Sequence, residues 1–132
     1  MGDLLVSAEA APPSGDGIYV VHLDGDLAGV PSALGSLTDA LLAGRAPYVL
    51  FVLGTNATQP GLLGAFRGWE RRNEANLRTR ARATATVVPR FFDRVQWHLA
   101  DLFLPSPISN KTVATEEAGV AFLAARRRQV DG

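Results

Sequence analysis

This sequence has no cysteine and a single lysine, Lys111, among its 132 residues. Without cysteine the chain has no disulfide, no thiolate metal ligand and no cysteine nucleophile. It also has no apolar run of the ~18 residues that a membrane-spanning helix needs, and residues 1–6 lack the basic segment and long apolar core of a signal peptide. We therefore predict a cytoplasmic location without an integral membrane segment.

The chain also has no net charge, because 13 acidic residues balance 13 basic ones. A neutral chain has no overall field that would attract nucleic acid or an anionic membrane, so we predict no nucleic-acid partner. The distribution is uneven, since residues 1–60 contain one base, Arg45, and all other bases follow them. This pattern predicts that one side of the molecule is basic. The ordinary explanation of such a side is a set of solvated helix faces.

Signatures of catalysis and metal binding are missing as well. The two histidines, His22 and His98, are isolated and lack the spacing of metal ligands. No serine lies in a G-x-S-x-G elbow, and residues 61–64 lack the Lys-Ser/Thr pair of a phosphate-binding loop. We therefore predict no catalytic residue, no metal and no cofactor, with an enzyme of unrecognised type as an alternative.

The most informative segment present is the apolar run YVLFVL at residues 48–53, which a polar turn follows. Six successive apolar residues of β-branched and aromatic type indicate a strand buried on both faces, as in the centre of a parallel sheet. The carboxyl end of such a strand lies at the edge where open α/β sheets hold ligands. The polar turn is therefore a candidate site.

The remaining pattern alternates strands with helices in one domain, predicted over residues 17–128 between a flexible lead-in at 1–16 and a tail at 129–132. The predicted fold class is α/β, a single-domain, mixed, mostly parallel sheet of four to five strands with four helices. The second helix, 61–78, is predicted to leave Arg67 and Glu70 in water. Strands are predicted at 17–23, 26–29, 48–53, 83–88 and 108–114, and helices from Val30, Gly61, Phe91 and the N-cap Thr115.

Three short segments carry a resemblance to a known family. They are residues 20–27 (VVHLDGDL), residues 85–89 (ATVVP), and residues 111–118 (KTVATEEA) with the following 121–123 (AFL). In this order of strands and helices the chain resembles the STAS domains, in particular the SpoIIAA-like branch that is related to lipid-carrying CRAL-TRIO folds. The resemblance covers about residues 17–128.

The resemblance implies a non-enzymatic binding or regulatory module that recognises a protein partner or an apolar small molecule. Other members of the family antagonise anti-sigma factors and are switched by phosphorylation of a hydroxyl residue, in the setting Asp-Ser-Ser-Gly, after the buried strand. This chain has NATQPG at residues 56–61 instead, and Thr55 and Thr58 are the hydroxyl residues of the turn. A phosphorylation-controlled antagonist is therefore the alternative function.

Thr55 and Thr58 also form a candidate anion site on physical grounds. They are predicted where a strand runs into a helix N-terminus, and there the free N–H groups and the helix dipole favour negative charge. A phosphate on Thr58 would be stabilised by that positive end. The alternative is structural, with Thr58 as an N-cap and Thr55 as a turn residue.

Large aromatic residues of the second and third helices are the candidate ligand or partner residues. A pocket between these helices would take an apolar ligand, although packing in the core also explains Phe66 and Trp69. In the third helix, 91–104, the stripe through Phe91, Val95 and Leu99 is predicted to face the core. Trp97 and Leu104 would then be exposed as a contact for a partner or a homodimer. The candidate residues are Phe66, Trp69, Phe92, Trp97 and Leu104.

Overall fold

The computed structural model describes residues 17–55, 57, 59–103 and 110–131. The predicted lead-in at 1–16, Thr58 and Leu104 lie outside these residues. The strands are β1 (Ile18–His22), β2 (Tyr48–Val52), β3 (Ala83–Val87) and β4 (Asn110–Val113). The α-helices are α1 (Val30–Leu42), α2 (Pro60–Arg72), α3 (Glu74–Arg80), α4 (Phe91–Phe103) and α5 (Glu116–Asp131).

The four described strands form one sheet in the order β1-β2-β3-β4, and every neighbouring pair is parallel. In its register Tyr48 lies beside Ile18 on one side and beside Ala83 on the other. All five residues of β2 are buried, which confirms the prediction of a central strand covered on both faces. The α/β class is confirmed, with a sheet that is parallel throughout rather than mixed.

The helices cover the two faces of the sheet unequally. Phe51 and the other inward-facing residues of one face pack in a core with α1, α2, α3 and Trp97 of α4. Leu50 and the other face pack in a second core, to which Leu123 of α5 belongs. Alternate residues of β2 thus point into two different cores, because successive side chains of a strand point to opposite faces. The domain has three layers, helix, sheet and helix.

Two predicted elements differ from the observed ones. The predicted partner strand at 26–29 is wrong, because Leu27–Gly29 forms a 3-10 helix whose Gly29 amide bonds to the carbonyl of Asp26 at 3.0 Å. This turn leads directly into α1, which connects β1 to its parallel neighbour β2. The predicted helix 61–78 is divided at Asn73, whose side-chain amide donates to the carbonyl of Trp69 at 3.0 Å. An asparagine that bonds to nearby backbone in this way competes with a continuous helix.

The N-cap of α5 is confirmed, because the Ala118 amide donates to the hydroxyl of Thr115 at 3.1 Å. From this start α5 packs closely on the sheet at Gly119, which is buried. A Cβ atom on Gly119 would lie 2.5 Å from Cδ1 of Leu50 and 3.4 Å from Cγ2 of Val113. The missing side chain therefore sets how closely the helix approaches β2 and β4.

We expect Gly119→Ala to lower the free energy of unfolding by about 1–3 kcal/mol, because overpacking outweighs the gain in helix propensity. Gly35→Ala is the matched control, since Gly35 lies in α1 with no atom within 4 Å of its Cβ position. That control should gain about 0.5–1 kcal/mol. Urea unfolding measures both, and equal stabilisation by the two substitutions would contradict the close packing of α5.

Candidate functional site

The carboxyl ends of parallel strands are the usual ligand-binding edge of an open α/β sheet. In the described sheet the strand order follows the chain order and never reverses, whereas doubly wound folds bind ligands where it does reverse. Thr55 is exposed in the turn after β2, and in this turn the Ala57 amide donates to the carbonyl of Gly54 at 3.2 Å. Among the described residues, no basic side chain bonds to Thr55, and Thr58 lies outside them. The anion site at Thr55 and Thr58 therefore stays a prediction.

Three of the predicted ligand residues pack together in the core instead of lining a pocket between α2 and α4. Phe66 contacts Phe51 at a ring distance of 4.7 Å and Trp97 at 5.5 Å, and Trp69 lies 6.3 Å from Phe51. All four rings are buried. The predicted ligand pocket between these helices is therefore occupied by the protein's own aromatic side chains.

The predicted exposure of Trp97 is wrong. Its side chain is 1% exposed, and its indole N–H donates to the backbone carbonyl of Ala57 at 2.9 Å. This bond connects α4 to the turn that follows β2. Leu104, the other half of the predicted patch, lies outside the described residues.

The stripe that was predicted to face the core is instead the exposed one. Phe91 is 63% exposed and Phe92 77%, and Val95 and Leu99 continue the exposed surface along α4. The two phenylalanine rings contact each other at 5.5 Å in an edge-to-face arrangement. We call Phe91, Phe92, Val95 and Leu99 the aromatic face of α4.

The first turn of α4 is held in place by its own charged residues. Arg94 donates to the carbonyls of Val88 at 3.0 Å and Pro89 at 2.8 Å, and its guanidinium lies 5.9 Å from the ring of Phe91. Asp93 is buried and pairs with Arg90, with 3.1 Å between Oδ2 and Nε. The aromatic face is therefore presented by a fixed helix start with two arginines beside it.

A buried ion pair lies between α2 and α4, where sequence reasoning predicted a solvated face. Arg67 donates to Glu70 at 2.7 Å, and each residue is 6% exposed. The guanidinium of Arg67 also lies 5.1 Å from the ring of Trp97 and 5.9 Å from that of Phe66. Stacking on aromatic rings and pairing with a carboxylate together compensate the burial of this charge.

A groove of about 330 Å³ lies between α1 and α2, on the side of α2 away from α4. Trp69 lines it, and its indole N–H donates to the hydroxyl of Thr38 at 2.9 Å. Trp69, one of the predicted ligand residues, thus lines a groove beside α1, whereas the predicted pocket lay between α2 and α4. The groove is lined by Pro31, Leu34, Gly35, Thr38, Ala65, Trp69, Arg72 and Asn73.

The remaining candidates give no chemical site in the described part of the chain. His22 lies 3.8 Å from Asp24, and His98 is exposed on α4. No cluster of three or more His, Cys, Asp or Glu side chains that could hold a metal occurs among the residues described. Within the same residues, no helix combines the length and apolar character needed to cross a membrane.

The chain matches no protein-family model, no curated protein and no solved structure. The described part of the chain forms a single α/β domain whose sheet has four parallel strands in chain order. Its distinctive surface features are the aromatic face of α4 and the groove between α1 and α2.

Proposed function

We propose that this protein is a non-enzymatic binding module that recognises a protein partner through the aromatic face of α4. The observation that supports this is the exposure of two adjacent phenylalanines, Phe91 and Phe92, on a helix. Together their exposed parts amount to roughly 300 Å² of apolar surface. Patches of this size on soluble proteins often serve binding, and buried aromatic side chains dominate the energy of many interfaces.

The charges around this face indicate the chemistry of the partner. Arg90 and Arg94 flank the two rings, and the acidic residue between them, Asp93, is buried. Over residues 91–99, the side chains that α4 exposes are apolar, neutral polar or basic. Complementary charge guides association and selects partners, so the partner segment is apolar with acidic residues at its edge.

A second copy of this chain fits the face less well. A two-fold dimer brings the same patch of both subunits together, which would place the arginine side chains of both copies near one another. A standard interface also buries about 800 Å² per partner, well above the area of the two rings. A short acidic and apolar segment of another protein complements the charge of the arginines and needs only the small apolar area that the two rings offer.

This function agrees with the binding role that the resemblance to STAS domains implies, and the resemblance itself stays a proposal. The aromatic face of α4 contains neither Thr55 nor Thr58. The two proposals can therefore be tested separately.

The test uses a photo-crosslinking amino acid at position 92 in place of Phe92, in cells of the source organism. We expect a covalent adduct with a partner protein, because the side chain at this position points away from the domain. The matched control carries the crosslinker in place of Leu42, which is also an exposed apolar residue (52%) but lies at the end of α1. The captured protein is then purified and titrated with the chain.

In this titration Phe91→Ser/Phe92→Ser should weaken binding by about 30-fold or more, and Leu42→Ser should leave it unchanged. Arg94→Gln should slow association, most visibly at low salt. Equal adducts at positions 92 and 42, an adduct with the chain itself, or unchanged affinity in the double variant would overturn the proposal.

A further inference from the structure

We propose that the groove between α1 and α2 binds a small amphipathic carboxylate. This site is independent of the proposed function, because none of the residues that line the groove belongs to α4. A volume of about 330 Å³ is at the lower end of the range for ligand sites, roughly 300–1,000 Å³. The groove therefore suits a small ligand.

The polar side chains inside the groove are already paired with the protein. The Thr38 hydroxyl donates to the carbonyl of Leu34 at 3.1 Å and accepts from the indole N–H of Trp69 at 2.9 Å. The side-chain amide of Asn73 donates to the Trp69 carbonyl at 3.0 Å and its oxygen accepts from Asn76 at 3.4 Å. These internal bonds leave the exposed Pro31 and Gly35 and the half-buried Ala65 as the apolar residues that a ligand would contact.

Arg72 is the charged residue that lines the groove, and it supplies the specific contact. Its side chain is exposed, and it has no ion-pair or hydrogen-bond partner among the described residues. Its Nη1 atom lies over Gly68, 3.3 Å from the position that a Cβ atom would take there. A guanidinium binds a carboxylate through two parallel hydrogen bonds, and among the described residues no acidic side chain lines this groove to compete for it.

One cation beside apolar walls favours a monoanion with an apolar body. A phosphate group carries more charge and more acceptor oxygens, which a single arginine would leave largely unmatched. The ligand class is therefore a carboxylic acid with a short aliphatic or aromatic body. Octanoate is the probe, and octanamide is the uncharged analogue with the same chain.

The two tryptophans allow binding to be located by NMR of their indole N–H groups. Trp69 has its indole N–H at the groove, whereas that of Trp97 bonds to Ala57 in the core. Octanoate should shift the Trp69 signal in a saturable manner and leave the Trp97 signal unchanged. Octanamide should bind at least tenfold more weakly, because it lacks the charge that Arg72 pairs with.

Two pairs of variants separate the charge of the groove from its shape. Arg72→Gln should weaken octanoate binding about tenfold or more, and Arg71→Gln, an exposed neighbour outside the groove, should change it by less than about twofold. Gly35→Leu should fill the groove and abolish the shift of Trp69. Gly64→Leu is its control, since both glycines are exposed with open space at the Cβ position and Gly64 is not a lining residue.

The proposal is overturned if octanoate shifts neither indole signal or shifts both alike. It is also overturned if octanamide binds as tightly as octanoate, or if Arg71→Gln and Arg72→Gln weaken binding equally. Circular dichroism of each variant checks that the substitution leaves the fold intact, and the Gly35→Leu result stands independently of the arginine pair. All of these octanoate measurements can be made without a partner protein bound at α4.

Discussion

Trp97→Ala is expected to lower the free energy of unfolding by about 3–5 kcal/mol, the usual cost of removing a large aromatic side chain from a core. The indole is 1% exposed and contacts the ring of Phe66 at 5.5 Å. Its removal also takes away the surface on which the Arg67 guanidinium lies and the donor to the Ala57 carbonyl. A loss of this size is a large fraction of the 5–15 kcal/mol that stabilises a typical domain.

Two further variants separate the contributions of Trp97. Trp97→Phe keeps a ring in the core but removes the N–H, and we expect it to be less damaging than alanine while still costing about 1–3 kcal/mol for the carbonyl left without its donor. Phe92→Ala changes an exposed ring on the same helix and should cost less than about 0.5 kcal/mol. Urea unfolding followed by far-ultraviolet circular dichroism measures all three without relying on tryptophan fluorescence. A Trp97→Ala protein as stable as Phe92→Ala would mean that the indole is exposed after all.

Arg67→Met is expected to cost about 3–5 kcal/mol, because removing one partner leaves the other charge buried without compensation. The remaining charge would be the carboxylate of Glu70, which accepts from Arg67 at 2.7 Å. The same substitution also removes the guanidinium stacked against Trp97 and Phe66. Methionine retains apolar contact with these rings, so the loss is mainly electrostatic.

The double variant Arg67→Met/Glu70→Leu should recover much of this loss, since replacing a buried ion pair by apolar side chains is often neutral. Arg78→Met is the control for an exposed pair, because Arg78 and Glu74 are 59% and 50% exposed in their side chains. That control should cost only about 0.3–0.5 kcal/mol. A double-mutant cycle by urea unfolding gives the coupling, and equal effects of Arg67→Met and Arg78→Met would show that the first pair is solvated.

Local features of the sequence were sufficient to predict the fold class. The run at 48–53 is apolar at every position, and its short length with β-branched and aromatic residues is typical of a strand covered on both faces. Thr115 before two glutamates predicted the N-cap of α5 that the Ala118 amide completes. Such signals are local, because they depend on the side-chain types within a few residues of the chain, so they can be recognised without knowing what packs nearby.

The candidate sites depended on contacts between distant parts of the chain, and here the tertiary structure decided. Helix α4 has apolar residues on two sides, the stripe through Phe91, Val95 and Leu99 and the side that carries Trp97. Periodicity alone could therefore not show which side of α4 meets the core. The Ala57 carbonyl and Arg67 settle that choice by contacting Trp97 from other elements. The sequence by itself determined that this chain is an α/β protein with a buried central strand. Only the folded structure determined which aromatic residues became core and which became surface, because burial depends on neighbours that lie far away in sequence.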